Sequence, residues 1–350
     1  MDEPFVEWYR TPCMVDTYRL GFTGDVMLGR QADAAYREGH RPPAALWGDL
    51  HSRLRGLDGL FVNLECCLAT AGEPWLGRRF HFRADPEWST AALRAATVDC
   101  CSLANNHAMD FGPNALRETL AELSAADIAT VGAGRHREAA RQPVAVDCRG
   151  LTVAVVAFTD NTPQYAATTD RPGTAHIEFD PDDTESMATL KRAVETAADR
   201  FDPDLLVASL HWGPNNRTHP KASHQQVARR LAEWGVDLVA GHSAHLFQGI
   251  ELLDRGASPT LVCYDMGDFV DDYAVDPTDR NDRSFLFELV VDGDGQLLEL
   301  VLHPTEIESR AVYEASDRGA AWSRQTMIER SEPFETEFER VGKGLSVSLT

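Results

Sequence analysis

Lysine is almost missing from this chain. Lys191, Lys221 and Lys343 are the only three among 33 basic residues, and 55 acidic residues leave a net charge of −22 over 350 residues. A surface of that sign repels other polyanions across a Debye length, which argues against nucleic acid or an anionic membrane as partner. Such an acidic, lysine-poor surface also resembles those of salt-adapted proteins. Long apolar runs are missing as well. The first 16 residues are acidic, contain Pro4 and Pro12, and have neither a charged leader nor an apolar core, so the expectation is a cytoplasmic chain with no integral membrane segment. The seven cysteines show no CxxC spacing, their count is odd, and two pairs are adjacent, Cys66-Cys67 and Cys100-Cys101; buried, reduced thiols are expected rather than a disulfide framework. The sequence has no GxGxxG or GxxxxGK phosphate loop, no GxSxG elbow and no HExxH, so nucleotide-fold, hydrolase-elbow and zincin readings have no support.

What is present is an alternation of short apolar runs with amphipathic stretches. Residues 18–23, 59–62, 98–103, 151–158, 205–210, 238–241 and 260–264 read as buried strands. Residues 114–126, 185–200 and 224–234 carry apolar side chains at helical spacing, and Pro113 fits a helix start. Residues 284–291 and 297–303 flank Asp292-Gly293-Asp294-Gly295, a hairpin signature, and a further helix is expected near 320–329. Strands and helices in alternation predict a layered α/β domain with ligands at the carboxyl ends of its strands. No internal repeat or low-complexity linker marks a domain boundary.

Six segments end such apolar runs with polar or metal-binding residues: Gly24-Asp25, Asn63-Leu64-Glu65, Asn105-Asn106-His107, His211-Trp212-Gly213, Gly241-His242-Ser243-Ala244-His245 and Gly267-Asp268. Each has an ordinary explanation, since a strand-end Asp often caps a helix and an Asn-Asn-His run often makes a turn. Their recurrence points to one metal site of mixed carboxylate, amide and imidazole donors, suited to Mn, Fe or Zn, with Ca as a harder alternative. His107 with Asp110 three residues on can form an imidazole held in one tautomer, a general acid or base; alternatively Asp110 caps the helix beginning near Pro113. Asp268 either holds the cation or stands behind it. Arg30, Arg78, Arg79 and Arg83 are the basic residues near these motifs, and a guanidinium fork suits a carboxylate or phosphate.

With their neighbours, Gly24-Asp25-Val26-Met27-Leu28-Gly29-Arg30, Asn63-Leu64-Glu65, Asn105 through Gly112, His211-Trp212-Gly213 and Gly241 through Gln248 resemble the CapA/PgsA family, whose members are associated with poly-γ-glutamate capsule biosynthesis and are similar in fold to calcineurin-like metallophosphoesterases. The resemblance implies an α/β fold, a layered metallophosphoesterase-like β-sandwich flanked by helices. It implies a family domain over 18–304, after an extension at 1–17 and before a C-terminal extension at 305–350 packed on the same domain. It assigns Asp25 and His245 to one metal position, Asn106, His211 and His242 to a second, Glu65 as bridge, and His107 with Asp110 as the catalytic pair; Arg30, Asn63, Arg83 and Asp268 are the expected substrate contacts. Two departures stand out. Met27 occupies the place where metallophosphoesterases carry a histidine, and His242 and His245 are three residues apart rather than two. The first position is thus short of a donor, and one ion or two are expected. The implied substrate is a peptide-like or polyanionic carboxylate polymer, with biosynthetic proteins as possible partners. Metal-activated hydrolysis of an amide or phosphoester, metal-dependent epimerisation at a Cα, and a non-catalytic scaffold for a polymer synthase are the three functional readings.

Overall fold

The computed structural model describes residues 17–37, 41–256 and 258–350; Cys13 and the expected extension at 1–17, save Thr17, lie outside them. Two sheets face each other. In the larger, the parallel strands Thr17–Val26, Gly59–Leu64, Cys100–Ser102 and Ala129–Val131 lie side by side. Arg283–Asp292 and Leu297–Glu308 extend it antiparallel from the first strand. The smaller sheet holds Leu151–Thr159, Leu205–His211, Leu238–His242 and Thr260–Cys263 in parallel, with antiparallel edges at Val144–Cys148 and Ile250–Leu253.

The side-chain period of two explains the layering. Leu20, Phe22 and Phe61 point between the sheets, against Val153, Val155, Val207 and Ala240. Leu60, Val62 and Leu64 point the other way, into an apolar layer with Trp47, Trp88, Leu93 and Leu116 from the helical elements Pro43–Leu50, Pro86–Ala95 and Gly112–Ala125. On the far side, Ala154, Val156, Leu206 and Val239 pack on Leu190, Val194, Val227 and Leu231 of helices Thr184–Phe201 and Ala222–Glu233. The result is a helix–sheet–sheet–helix sandwich, the layered α/β fold the sequence predicts. Asp183 starts the longest of these helices by accepting from Glu185 N and Ser186 N, and Pro113 stands in the first turn of Gly112–Ala125.

Strands at 129–131, 144–148, 250–253 and 268–270 and helices Arg30–Tyr36 and Pro86–Ala95 were not legible in the sequence. Beyond the expected hairpin, Ala311–Glu314, Glu339–Val341 and Gly344–Ser348 join the larger sheet. The helix near 320–329 spans Asp317–Ser331. All six described cysteines are buried and unpaired, and burial pushes the Cys67 thiol up to about 12, so they behave as inert core residues.

One edge of the first strand positions the site. Thr17–Val26 outruns its antiparallel partner, and the vacated edge is taken by the parallel strand Asp268–Val270, which sets Asp25 opposite Asp268. On its other side Asp25 is opposite Asn63, after a register shift between Phe22 and Asp25. The approach demands glycine: a Cβ on Gly24 would lie 2.0 Å from Gly267 O.

Candidate metal centre

The carboxyl ends of both parallel sets open to the same place. His211 and His242 are register partners at the ends of adjacent strands, and across the sandwich Asp25, Asn63 and Glu65 end two more. His242 Nδ1 is 3.2 Å from Asp25 Oδ1, and His245 Nδ1 is 3.6 Å from Asp25 Oδ2 and 2.8 Å from Asp268 Oδ1. His211 Nε2 and His107 Nε2 approach Glu65 Oε1 to 3.7 and 3.8 Å. Among the described residues, two sets have spacing that fits a cation, Asp25–Glu65–His211 and Asp25–His245–Asp268. Asp25 is common to both, the place the family resemblance gives to Glu65.

The unsatisfied atoms test whether a cation fits. Asp25 Oδ2, both oxygens of Glu65, Asn106 Oδ1, His242 Nδ1 and Asp268 Oδ2 are buried with no hydrogen-bond partner. An orphaned buried polar atom costs on the order of 1–3 kcal/mol, more if charged, so six in one place are a donor set built for something that accepts electron pairs. Electrostatics agree. Burial, then the charges of Asp25 and Asp268, push Glu65 well above the carboxylate range. Asp25 resists the same burial through His242, His211 and His245 and is held below its usual value. Burial brings His211 down to about 3. A divalent cation suits these residues.

His107 stands beside this set with its other nitrogen committed. Its Nδ1 is 2.5 Å from Asp110 Oδ2. Asp110 in turn accepts from Phe82 N at 2.8 Å and Tyr165 Oη at 2.9 Å, and Arg78 Nε is 3.4 Å from its Oδ1. The helix-cap alternative for Asp110 is not what the structure shows: Gly112–Ala125 has Phe111 at its N-cap and no side-chain cap. Burial lowers the imidazole's basicity, while Asp110 opposes that shift.

The expected substrate contacts separate. Arg30, with its guanidinium 5.2 Å from the Phe80 and Phe82 ring centres and 3.3 Å from Asp272, lines a cavity of about 550 Å³ together with His245, Phe80, Tyr273, Asn215 and Asn216. Asn63 is turned inward: its Nδ2 donates to Asp25 Oδ1 at 2.7 Å and lies 3.2 Å from His211 Nδ1. Arg83 stacks over Phe111 and donates to Gly72 O, and Asp268 is drawn into the ligand set.

Sequence reading missed Asp265, Tyr165 and the role of Arg78. Asp265 accepts from Ala244 N at 2.7 Å and Gly267 N at 2.8 Å, tying the His242–His245 loop to the Gly267–Asp268 loop. Its signal was available, since it follows the apolar run at 260–264 as the other site residues follow theirs. Tyr165 had none: it sits in a one-turn 3₁₀ helix far in sequence from Asp110. The His242–His245 loop carries strain, with Ser243 at φ 105° and His245 at φ 58°.

Fold and site together define an αββα protein with a buried carboxylate–imidazole centre at the carboxyl ends of its strands. The chain belongs to the bacterial capsule synthesis protein family PGA_cap, whose match spans residues 19–273. It is 32% identical, over 82% of its length and 77% of the relative's, to a probable polyglutamine synthesis accessory protein of Mycobacterium tuberculosis. It is 25% identical to the PGA biosynthesis protein CapA of Bacillus subtilis, over 80% of this chain and 70% of that one. To the capsule biosynthesis protein CapA of Bacillus anthracis it is 26% identical, over 71% and 58%. No helix among the described residues is long and apolar enough to cross a membrane.

Proposed function

We propose that this chain is a metal-dependent hydrolase of poly-γ-glutamate biosynthesis or processing, cleaving a γ-glutamyl amide with His107 as acid and base. One observation carries the reading: the unpartnered donor atoms of Asp25, Glu65, Asn106 and His242 lie beside an imidazole whose far nitrogen is fixed on Asp110. The relatives' names supply the polymer. A divalent cation bound there would polarise the scissile carbonyl and lower the pKa of an attacking water.

The chain's own residues do the rest. Asp110, immobilised by Phe82 N, Tyr165 and Arg78, accepts a hydrogen bond from His107 Nδ1–H, so that Nε2 takes the proton of the attacking water as the water oxygen bonds to the carbonyl carbon. His107 Nε2 then delivers that proton to the leaving amide nitrogen as the C–N bond breaks. Arg30, on the wall of the cavity that reaches His245, offers a cation to a substrate carboxylate in a molecule whose net charge would otherwise repel it.

The test is a γ-glutamyl oligomer incubated with protein and Mn²⁺ in D₂O. Shorter fragments, lost in His107→Ala, support hydrolysis. One mass unit gained without cleavage would replace it with epimerisation at a Cα, and neither change would leave the scaffold reading.

A further inference from the structure

We infer that the hollow between the short helix Arg137–Ala140 and helix Thr184–Phe201 is an anion-binding site apart from the metal centre, where Arg137, Arg141 and Arg192 hold carboxylates of a γ-glutamyl chain away from its reacting bond. That the chain is γ-glutamyl rests on the hydrolase reading above. That the hollow takes carboxylates rests on its own geometry.

Sequence spacing explains why three guanidiniums meet. Arg137 and Arg141 stand four residues apart across a helical turn closed by Arg141 N donating to Arg137 O at 3.2 Å, so both side chains leave one face. On the longer helix Thr189, Arg192, Ala193 and Thr196 also share a face, by their spacing of three, four and seven residues. With Glu138 and Pro143 these residues line a cavity of about 180 Å³. Ala193 lies between the two threonines, and its single methyl group leaves room that a longer side chain would fill.

The positive charge there is uncompensated. Among the described residues none of the three arginines is ion-paired, and Glu195 on the same long helix is taken by Lys191 at 3.5 Å. Arg137 Nε points at Ala167 O, 3.5 Å away, which leaves its terminal nitrogens for a ligand. Burial and then the Arg137 charge lower Arg141 from its ordinary value; Glu185 opposes that shift and Arg192 adds to it. In a chain of net charge −22 most of the surface repels a polyanion, and a carboxylate both supplies the missing counter-charge and matches the guanidinium fork.

Position favours a polymer over a small anion. Strand Val144–Cys148 runs antiparallel to Leu151–Thr159 with Val144 opposite Val155, so Arg141 and Pro143, just before Val144, continue toward the carboxyl end of that neighbour. The next strand ends in His211 at the same rim. A chain with a carboxylate on every residue can be held at the hollow while one of its amides lies at the centre, and the two contacts then reinforce each other.

The experiment measures binding and cleavage separately. In a His107→Ala background with Mn²⁺, fluorescence anisotropy of a labelled long γ-glutamyl oligomer gives its Kd. Arg141→Gln with Arg192→Gln should weaken binding by about tenfold or more, whereas Arg55→Gln with Arg94→Gln, which removes the same charge from exposed sites elsewhere, should not. Arg137→Gln with Arg192→Gln, both exposed positions, gives the same reading if the half-buried Arg141 proves necessary for folding. With His107 restored, the double variant should raise KM for the long oligomer and leave cleavage of a γ-glutamyl dipeptide unchanged. A Kd equal to that of the charge-matched control overturns the inference. So does inorganic phosphate whose affinity falls in the double variant while the oligomer's does not, since the hollow would then serve a small oxyanion. Arginine-dependent binding with no cleavage by wild type would keep the site and overturn the hydrolase reading; cleavage with arginine-independent binding would do the reverse.

Discussion

At the scale of single residues, the proposed chemistry turns on His107, which lies 3.8 Å from Glu65 on one side and against the fixed carboxylate of Asp110 on the other. His107→Ala removes the proton carrier and none of the metal donors, so it should keep fold and metal while lowering turnover of a γ-glutamyl oligomer by about 10² to 10⁴. Asp110→Asn should cost less, and Tyr165→Phe less again, because each removes only part of what orients the ring. Metal content and steady-state rates on the three variants check the order; loss of metal in His107→Ala would make the residue a ligand instead. His224 offers a separate test of burial. It stacks on Trp212 at 4.5 Å with its Nε2 unpartnered, and burial takes it down from 6.5 to about 3. A folded-state value below the unfolded one means the unfolded chain binds the proton more readily. Stability is thus lost as pH falls below about 6.5 and continues to fall toward 3. His224→Phe keeps the stacking and removes the proton site, so its urea midpoint should gain on wild type steadily between pH 7 and pH 4, and a constant difference would contradict the assignment.

At the scale of elements, the site depends on how closely two strand ends approach. Asp25 N donates to Gly267 O at 2.8 Å, and Gly267 itself has φ 65°, a conformation glycine adopts without steric cost. Gly24→Ala places a methyl group on that carbonyl. It should destabilise the fold by about 1–3 kcal/mol, as overpacking does, and weaken metal binding although every donor is retained. Calorimetry and metal titration on the same variant check both halves. Asp265 acts at the same level: Asp265→Asn keeps the acceptor for one of the two loops it ties and loses the other, so metal affinity should fall more than thermal stability.

At the scale of the whole molecule, a net charge of −22 sets self-repulsion against compactness. Raising salt from about 0.1 M to 1 M shortens the Debye length from about 10 Å to 3 Å and should raise the melting temperature; a flat curve would contradict self-repulsion as a destabilising force here.

The longer apolar strands, the helices Gly112–Ala125, Thr184–Phe201, Ala222–Glu233 and Asp317–Ser331 and the residue types of the centre were legible in the sequence because they obey local rules: apolar periods of two and 3.6, a proline at a helix start, and polar residues that stop an apolar run. Asp25, Glu65, His107, His211, His242 and His245 announced themselves at strand ends, and the carboxyl edge of a parallel set is where such groups gather. Which of them meet was decided only in three dimensions. The short strand at 268–270 carries too few residues to show a period, and its pairing with the first strand, about 240 positions away, is what turns Asp268 toward Asp25. Asn63 pointing inward, Tyr165 reaching Asp110 and Asp265 tying two loops have the same origin: hydrogen bonds between groups distant in the chain, whose geometry exists only once the two sheets have packed.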